Sequence, residues 1–154
     1  MARKKIDYIV SEENSRDHGK KYVIEEMSAV SAEKLCYRII GAMLNAGVNL
    51  PPEFMLMPAS AITFLCVTNF LRIDFEYLEP LLEEMMQCVS FVPDQNNPKS
   101  IRKISQQFND IEEVSTLINL RIEVYKLHMD FFQAVIAPIL NQYLESQTVE
   151  KVSQ

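Results

Sequence analysis

From Asp110 onward the chain runs without a glycine or a proline until Pro138, and an unpunctuated stretch of that length reads as helix. Its first residues, Asp110-Ile111-Glu112-Glu113, have the spacing of a capping box. Beyond them Ile118, Ile122, Tyr125, Met129, Phe132, Ile136, Ile139 and Tyr143 fall alternately four and three residues apart, which on a helix makes one apolar seam. The expectation is a single long carboxy-terminal helix, kinked near Pro138 where a backbone donor is missing. A seam of this kind needs something to pack on: the protein's own core, which its Tyr and Phe content favours over a regular coiled coil, or a second polypeptide.

A second amphipathic helix is expected from Ser28 to Asn45, where Ala32, Leu35, Cys36, Ile39, Ile40, Met43 and Leu44 recur every three or four positions. Ser28 is a good cap for its start, Gly47 suits its termination, and Pro51 and Pro52 discourage its resumption. Ala59 to Leu71 is apolar on nearly every face and so predicts a central, buried helix, too short to meet the roughly 20 residues needed to cross a bilayer. Asp74 opens another, with Leu78, Leu81, Leu82, Met85 and Cys88 inward and Glu76, Glu83, Glu84 and Gln87 outward; Pro80 falls early enough to be tolerated.

Strand signals are fewer. Val89–Val92 and Ser100–Ile104 flank the turn-rich Asp94-Gln95-Asn96-Asn97-Pro98 and predict a small hairpin, to which Tyr22–Met27 would add a third strand. The fold class expected is therefore mainly α: a compact helical domain with a long carboxy-terminal helix and a small β-hairpin or three-stranded sheet. Residues 1–20 read as a flexible arm, 21–146 as one helical domain and 147–154 as a frayed tail.

A chain of 154 residues, 48% hydrophobic and 23% charged, is sufficient for one core. The net charge of -6 and pI near 5.0 disfavour phosphate backbones, which bind through Lys and Arg, so no nucleic-acid partner is expected. Arg3, Lys4 and Lys5 read as a solvated start. Cys36, Cys66 and Cys88 are odd in number and widely spaced, which argues against a disulfide framework and for a reducing cytoplasm. No export signal is read at the amino terminus, and no membrane partner is expected.

Chemistry is hard to assemble from this set. Gly19, Gly41 and Gly47 make no phosphate cradle, and His18 and His128 lack the nearby second ligand that a metal site requires. His128 with Asp130, or with Cys36 or Cys88, is the one conceivable base and nucleophile, and a histidine beside Leu127 and Met129 is more often a boundary residue of the fold. Glu25-Glu26, Glu83-Glu84 and Glu112-Glu113 point apart on a helix and read as solvated faces. The chain is thus expected to bind protein and not to be an enzyme, with no cofactor and no metal. Met55, Met57, Met85 and Met86, beside acidic residues, admit two readings: core filling, or a pliable surface that grips an apolar helix.

Three stretches then point to one family. Arg16-Asp17-His18-Gly19-Lys20-Lys21-Tyr22-Val23-Ile24-Glu25-Glu26-Met27 with the helix after it, Glu79-Pro80-Leu81-Leu82-Glu83-Glu84-Met85-Met86, and Asp110-Ile111-Glu112-Glu113-Val114 through His128 to Phe131-Phe132 together resemble tail assembly chaperones of long-tailed bacteriophages and prophages. The resemblance implies a mainly helical, self-associating protein of the infected host's cytoplasm, absent from the mature virion. It would bind the tape measure protein and keep it soluble while tail tube protein polymerises. The apolar continuation Ala134–Tyr143 departs from the pattern. The surfaces expected to dock a client or a second copy are Met55, Met57, Met85 and Met86 together with Ile118, Ile122, Tyr125, Met129 and Phe132. The alternative is a structural or regulatory helical subunit retained in the particle.

Overall fold

Alternation of side chains sets the first element. In Lys21-Tyr22-Val23-Ile24-Glu25 the buried Tyr22 and Ile24 take one side and Lys21, Val23 and Glu25 the other, the pattern of a strand with one face on a core. The computed structural model describes residues 2–49, 53, 57–130, 134, 137–138, 141–142 and 145–146, with the backbone alone at 59, 60, 62, 63, 66 and 67. Four strands, β1 (Lys5–Ile9), β2 (Lys21–Glu25), β3 (Val89–Val92) and β4 (Arg102–Lys103), form one antiparallel sheet in that order. Tyr8 pairs with Tyr22, Tyr22 with Phe91 and Phe91 with Arg102, so these four side chains make one row across the sheet. The ring centroids stand 6.5 and 5.4 Å apart, and the Arg102 guanidinium lies 5.4 Å from the Phe91 centroid and 4.9 Å from that of Phe108. Such cross-strand aromatic and cation–π contacts are what pin a register.

Helix α1 (Ala29–Asn45) starts where Ser28 Oγ accepts the Ser31 amide at 3.2 Å. It ends in a Schellman turn: Gly47 sits at φ +75°, its amide reaches Leu44 O, and the Val48 amide reaches Met43 O, with Val48 and Met43 both buried. The other helices are α2 (Ala59–Phe70), α3 (Phe75–Met86) and α4 (Val114–Leu127). Helix α3 packs between α1 and α4, and α2 lies on α4. Tyr22, Ile24 and Val89 of the sheet share one core with Leu35, Cys36 and Ile39 of α1, Leu81 and Met85 of α3, and Leu120 and Val124 of α4.

The architecture is mixed α and β, which corrects the mainly helical expectation and its all-α character. The sheet has four strands because Lys5–Ile9, expected in a loose arm, is paired along its whole length with β2. Lys5 is bridged to Glu25 at 3.2 Å and Lys21 to Asp7 at 2.7 Å, so the charges that read as solvation are cross-strand pairs on an edge. The rest of the expected arm is tied down as well: Val10 and Asp17 are buried, and the Val10 amide donates to Lys20 O.

The long carboxy-terminal helix is also corrected. Helix α4 starts at Val114 and ends at Leu127, and the His128 amide turns back to Val124 O and Tyr125 O before helical backbone resumes at 129. Helix α2 is not central: Phe64 is 71% and its cap residue Leu71 is 91% exposed. The expected frayed tail, 147–154, lies outside the described residues.

Candidate functional site

A buried ionic junction builds one wall of the site. The Asp17 carboxylate accepts the Glu112 amide at 2.9 and 3.1 Å, the Glu113 amide at 2.9 Å and Lys20 Nζ at 2.7 Å. Residue 17 therefore caps the start of α4 in place of the local capping box, whose Asp110 is engaged elsewhere. Asp110 takes both guanidinium nitrogens of Arg102 at 2.5 and 2.7 Å and the Ser105 amide at 2.7 Å, while the Tyr22 hydroxyl donates to its carbonyl at 2.6 Å. Burial opposes charge on both aspartates, but the cation and backbone donors prevail and hold both carboxyls below the usual range. The segment from 105 to 113 is thus fastened across the sheet, with Asn109 accommodating the turn at φ +49°.

Between this segment, the end of α3 and the start of α4 lies a groove of about 720 Å³. Met86 from α3, Val89 from β3, Ile104 after β4 and Ile111 give it apolar walls, and Val114, Leu117 and Arg121 line it along one face of α4. Glu83, Lys103, Glu112 and Glu113 stand around it. Two of those acids are already matched, Glu113 by Arg16 at 2.7 Å and Glu112 by Lys20 at 3.1 Å. Chemically this is a trough for an apolar ligand, bordered by charge. A second cleft, of about 650 Å³, runs between α1 and α3 past Gly41, Ala42, Arg72 and Tyr77.

The residues expected to dock a partner are scattered by the structure. Met86 lines the groove, and Met57 is half-buried against the core. Met85, Tyr125 and Met129 are core residues, which removes them from a free docking face. The seam splits because the inward stripe of α4 runs through Thr116, Leu120 and Val124, so Ile118 is 44% exposed and Ile122 half-buried while Tyr125 turns in to meet Phe70. Met55 and Phe132 lie outside the described residues. The reading from sequence missed Ile104, Ile111, Leu117 and Arg121. An arginine recurring at helical spacing with Val114 and Leu117 was the available signal for a second, partly apolar face on the same helix.

His128 does not stand as a base to either cysteine. Its Nε2 accepts the Met27 amide at 2.9 Å, which places the proton on Nδ1, and Nδ1 donates to Val124 O at 2.7 Å. Cys36 and Cys88 are buried, and burial pushes the Cys88 thiol up to about 11, away from the thiolate a nucleophile needs. Among the described residues no group of three or more His, Cys, Asp or Glu side chains is placed to hold a metal ion, and no helix is long and apolar enough to cross a membrane. Comparison with family models, curated proteins and solved structures finds no match.

Proposed function

We propose that this protein is a tail assembly chaperone of a long-tailed bacteriophage or prophage, holding the tape measure protein soluble in the host cytoplasm until tail tube protein surrounds it. The observation that carries the reading is the α3–α4 groove, an apolar trough open to solvent on a chain whose sequence resembles that family. A holding protein needs an apolar surface that is exposed yet framed by charge, so that it binds sticky segments without aggregating itself. Met86 supplies an adaptable contact in that trough, and Ile118 is, among the described residues of the expected seam, one left exposed on α4 to meet a client or a second copy. Self-association, and absence from the finished particle, belong to the same proposal.

Co-expression with a tape measure protein tests it. The client is expected to move from the pellet to the soluble fraction and to co-purify with this chain; a client equally insoluble with and without it overturns the proposal. A structural or regulatory subunit would use the same surfaces permanently. Mass spectrometry of purified virions separates the two, because a retained subunit is stoichiometric and a chaperone is absent.

A further inference from the structure

Along the face of α4 that lines the groove, Val114 and Leu117 are followed by a cation. Arg121 is half-buried, and its Nε, closed off from solvent, has no hydrogen-bond partner among the described residues. Burial pushes the pKa of this guanidinium below the ordinary arginine value, with no acidic group among the described residues to offset it. Arginine keeps its charge even so, and a half-buried cation with a donor shut off from water and unmet is an unfavourable arrangement to maintain. The other cations near the groove are satisfied: Arg16 by Glu113, Lys20 by Asp17 and Glu112, and Lys103 by Gln87 O. Arg121 is thus a cation without an internal acceptor for its Nε on a groove whose apolar lining includes Met86, Ile104, Ile111 and Leu117 and whose acids Glu112 and Glu113 are already matched.

We infer that the α3–α4 groove receives an apolar segment of a partner polypeptide that carries a carboxylate side chain, and that Arg121 takes this carboxylate as a hydrogen-bonded ion pair. Charge complementarity selects the occupant. The apolar walls take the flanking aliphatic side chains, and the Arg121 guanidinium supplies directional donors that a purely apolar helix leaves unused. The groove is walled by residues of α3, β3, β4 and α4, a spread that suits a length of chain. This assignment rests on the client-holding reading and narrows it to clients whose apolar stretches are interrupted by Asp or Glu.

The test uses the full chain and two capped, fluorescently labelled leucine- and alanine-rich helical peptides, one with a central glutamate and one with glutamine in its place. By anisotropy the glutamate peptide should bind about tenfold more tightly. Arg121→Met, which keeps an apolar stem, should bring the two affinities together, and Arg121→Lys should keep part of the preference. Should R121M fail to fold, the Arg121 Nε–Hε resonance of the wild type decides, expected to shift with the glutamate peptide and not with glutamine. Equal affinities in the wild type, binding of neither peptide, or a preference that survives R121M overturns the inference. A client still solubilised by folded R121M overturns the Arg121 pairing while leaving the holding role standing. A peptide preference abolished by R121M, beside a client never solubilised, supports the pairing and removes that role.

Discussion

Asp17 and Asp110 carry charge where water is excluded, and each is held there by a cation and backbone amides. Both carboxyls are depressed in the folded protein, so near their titration the unfolded chain binds more protons than the native one. Their contribution is then complete above about pH 5 and lost as pH falls below roughly 4, through the depressed folded values. Urea midpoints should be flat near neutrality and drop in that acid window. Asp17→Asn should cost about 3 kcal/mol at pH 7, since Lys20 loses its buried anion, and should flatten the acid slope; a variant with the parent's pH profile would mean the carboxylate is not charged in the fold. His128→Ala leaves the Met27 amide without its acceptor and should cost about 2 kcal/mol, measured the same way. Arg121 reverses the direction: R121M should stabilise the isolated protein by about 1 kcal/mol by deleting an uncompensated charge, and a loss of stability would show that the guanidinium has a partner within the fold.

Elements were legible where their determinants are local. Helix α1 is written between Ser28 and Gly47, a cap and a left-handed stop 19 residues apart, and the inward face of α3 follows Leu78, Leu81 and Met85. What escaped depends on partners distant in the chain. Helix α4 is started by Asp17, 95 residues before Glu112, and its end is held by a histidine bonded to an amide 101 residues away, with no glycine or proline to announce either. Strand β1 escaped for the same reason: Lys5, Asp7 and Ile9 resemble a solvated tail until Glu25 and Lys21 stand across from them. The groove inherits this limit, because its walls come from residues 83–89, 103–106 and 111–121, and only their assembly makes a surface. Deleting residues 1–10 distinguishes strand from arm. It removes the half-buried Ile6 and Tyr8 and the buried Val10, and exposes the β2 edge, so the truncated chain should lose several kcal/mol of stability or precipitate. An unchanged melting profile would return those residues to the status of a tail.

At the scale of the whole molecule, burial is uneven. Leu71 is almost fully exposed, and Phe64, Phe75 and Tyr77, from α2 to the start of α3, are each more than half exposed, while on α1 Val30 and Leu44 are about as exposed but stand apart in sequence. Isolated exposed hydrophobics are ordinary, but several large ones close in sequence favour association. A stable interface buries about 1,200–2,000 Å² in total, more than four side chains on each copy provide, so contact made there alone should be weak and concentration-dependent. Light scattering behind size exclusion should therefore show an apparent mass rising with protein concentration. Leu71→Glu, at a side chain that packs on little, should return it to the monomer value while moving the unfolding free energy by no more than about 0.5 kcal/mol. This separates self-association from client binding, because the α3–α4 groove contains none of the four residues. The L71E chain should keep its preference for the glutamate peptide, and an L71E monomer that lost it would place the binding surface across two copies instead of within one.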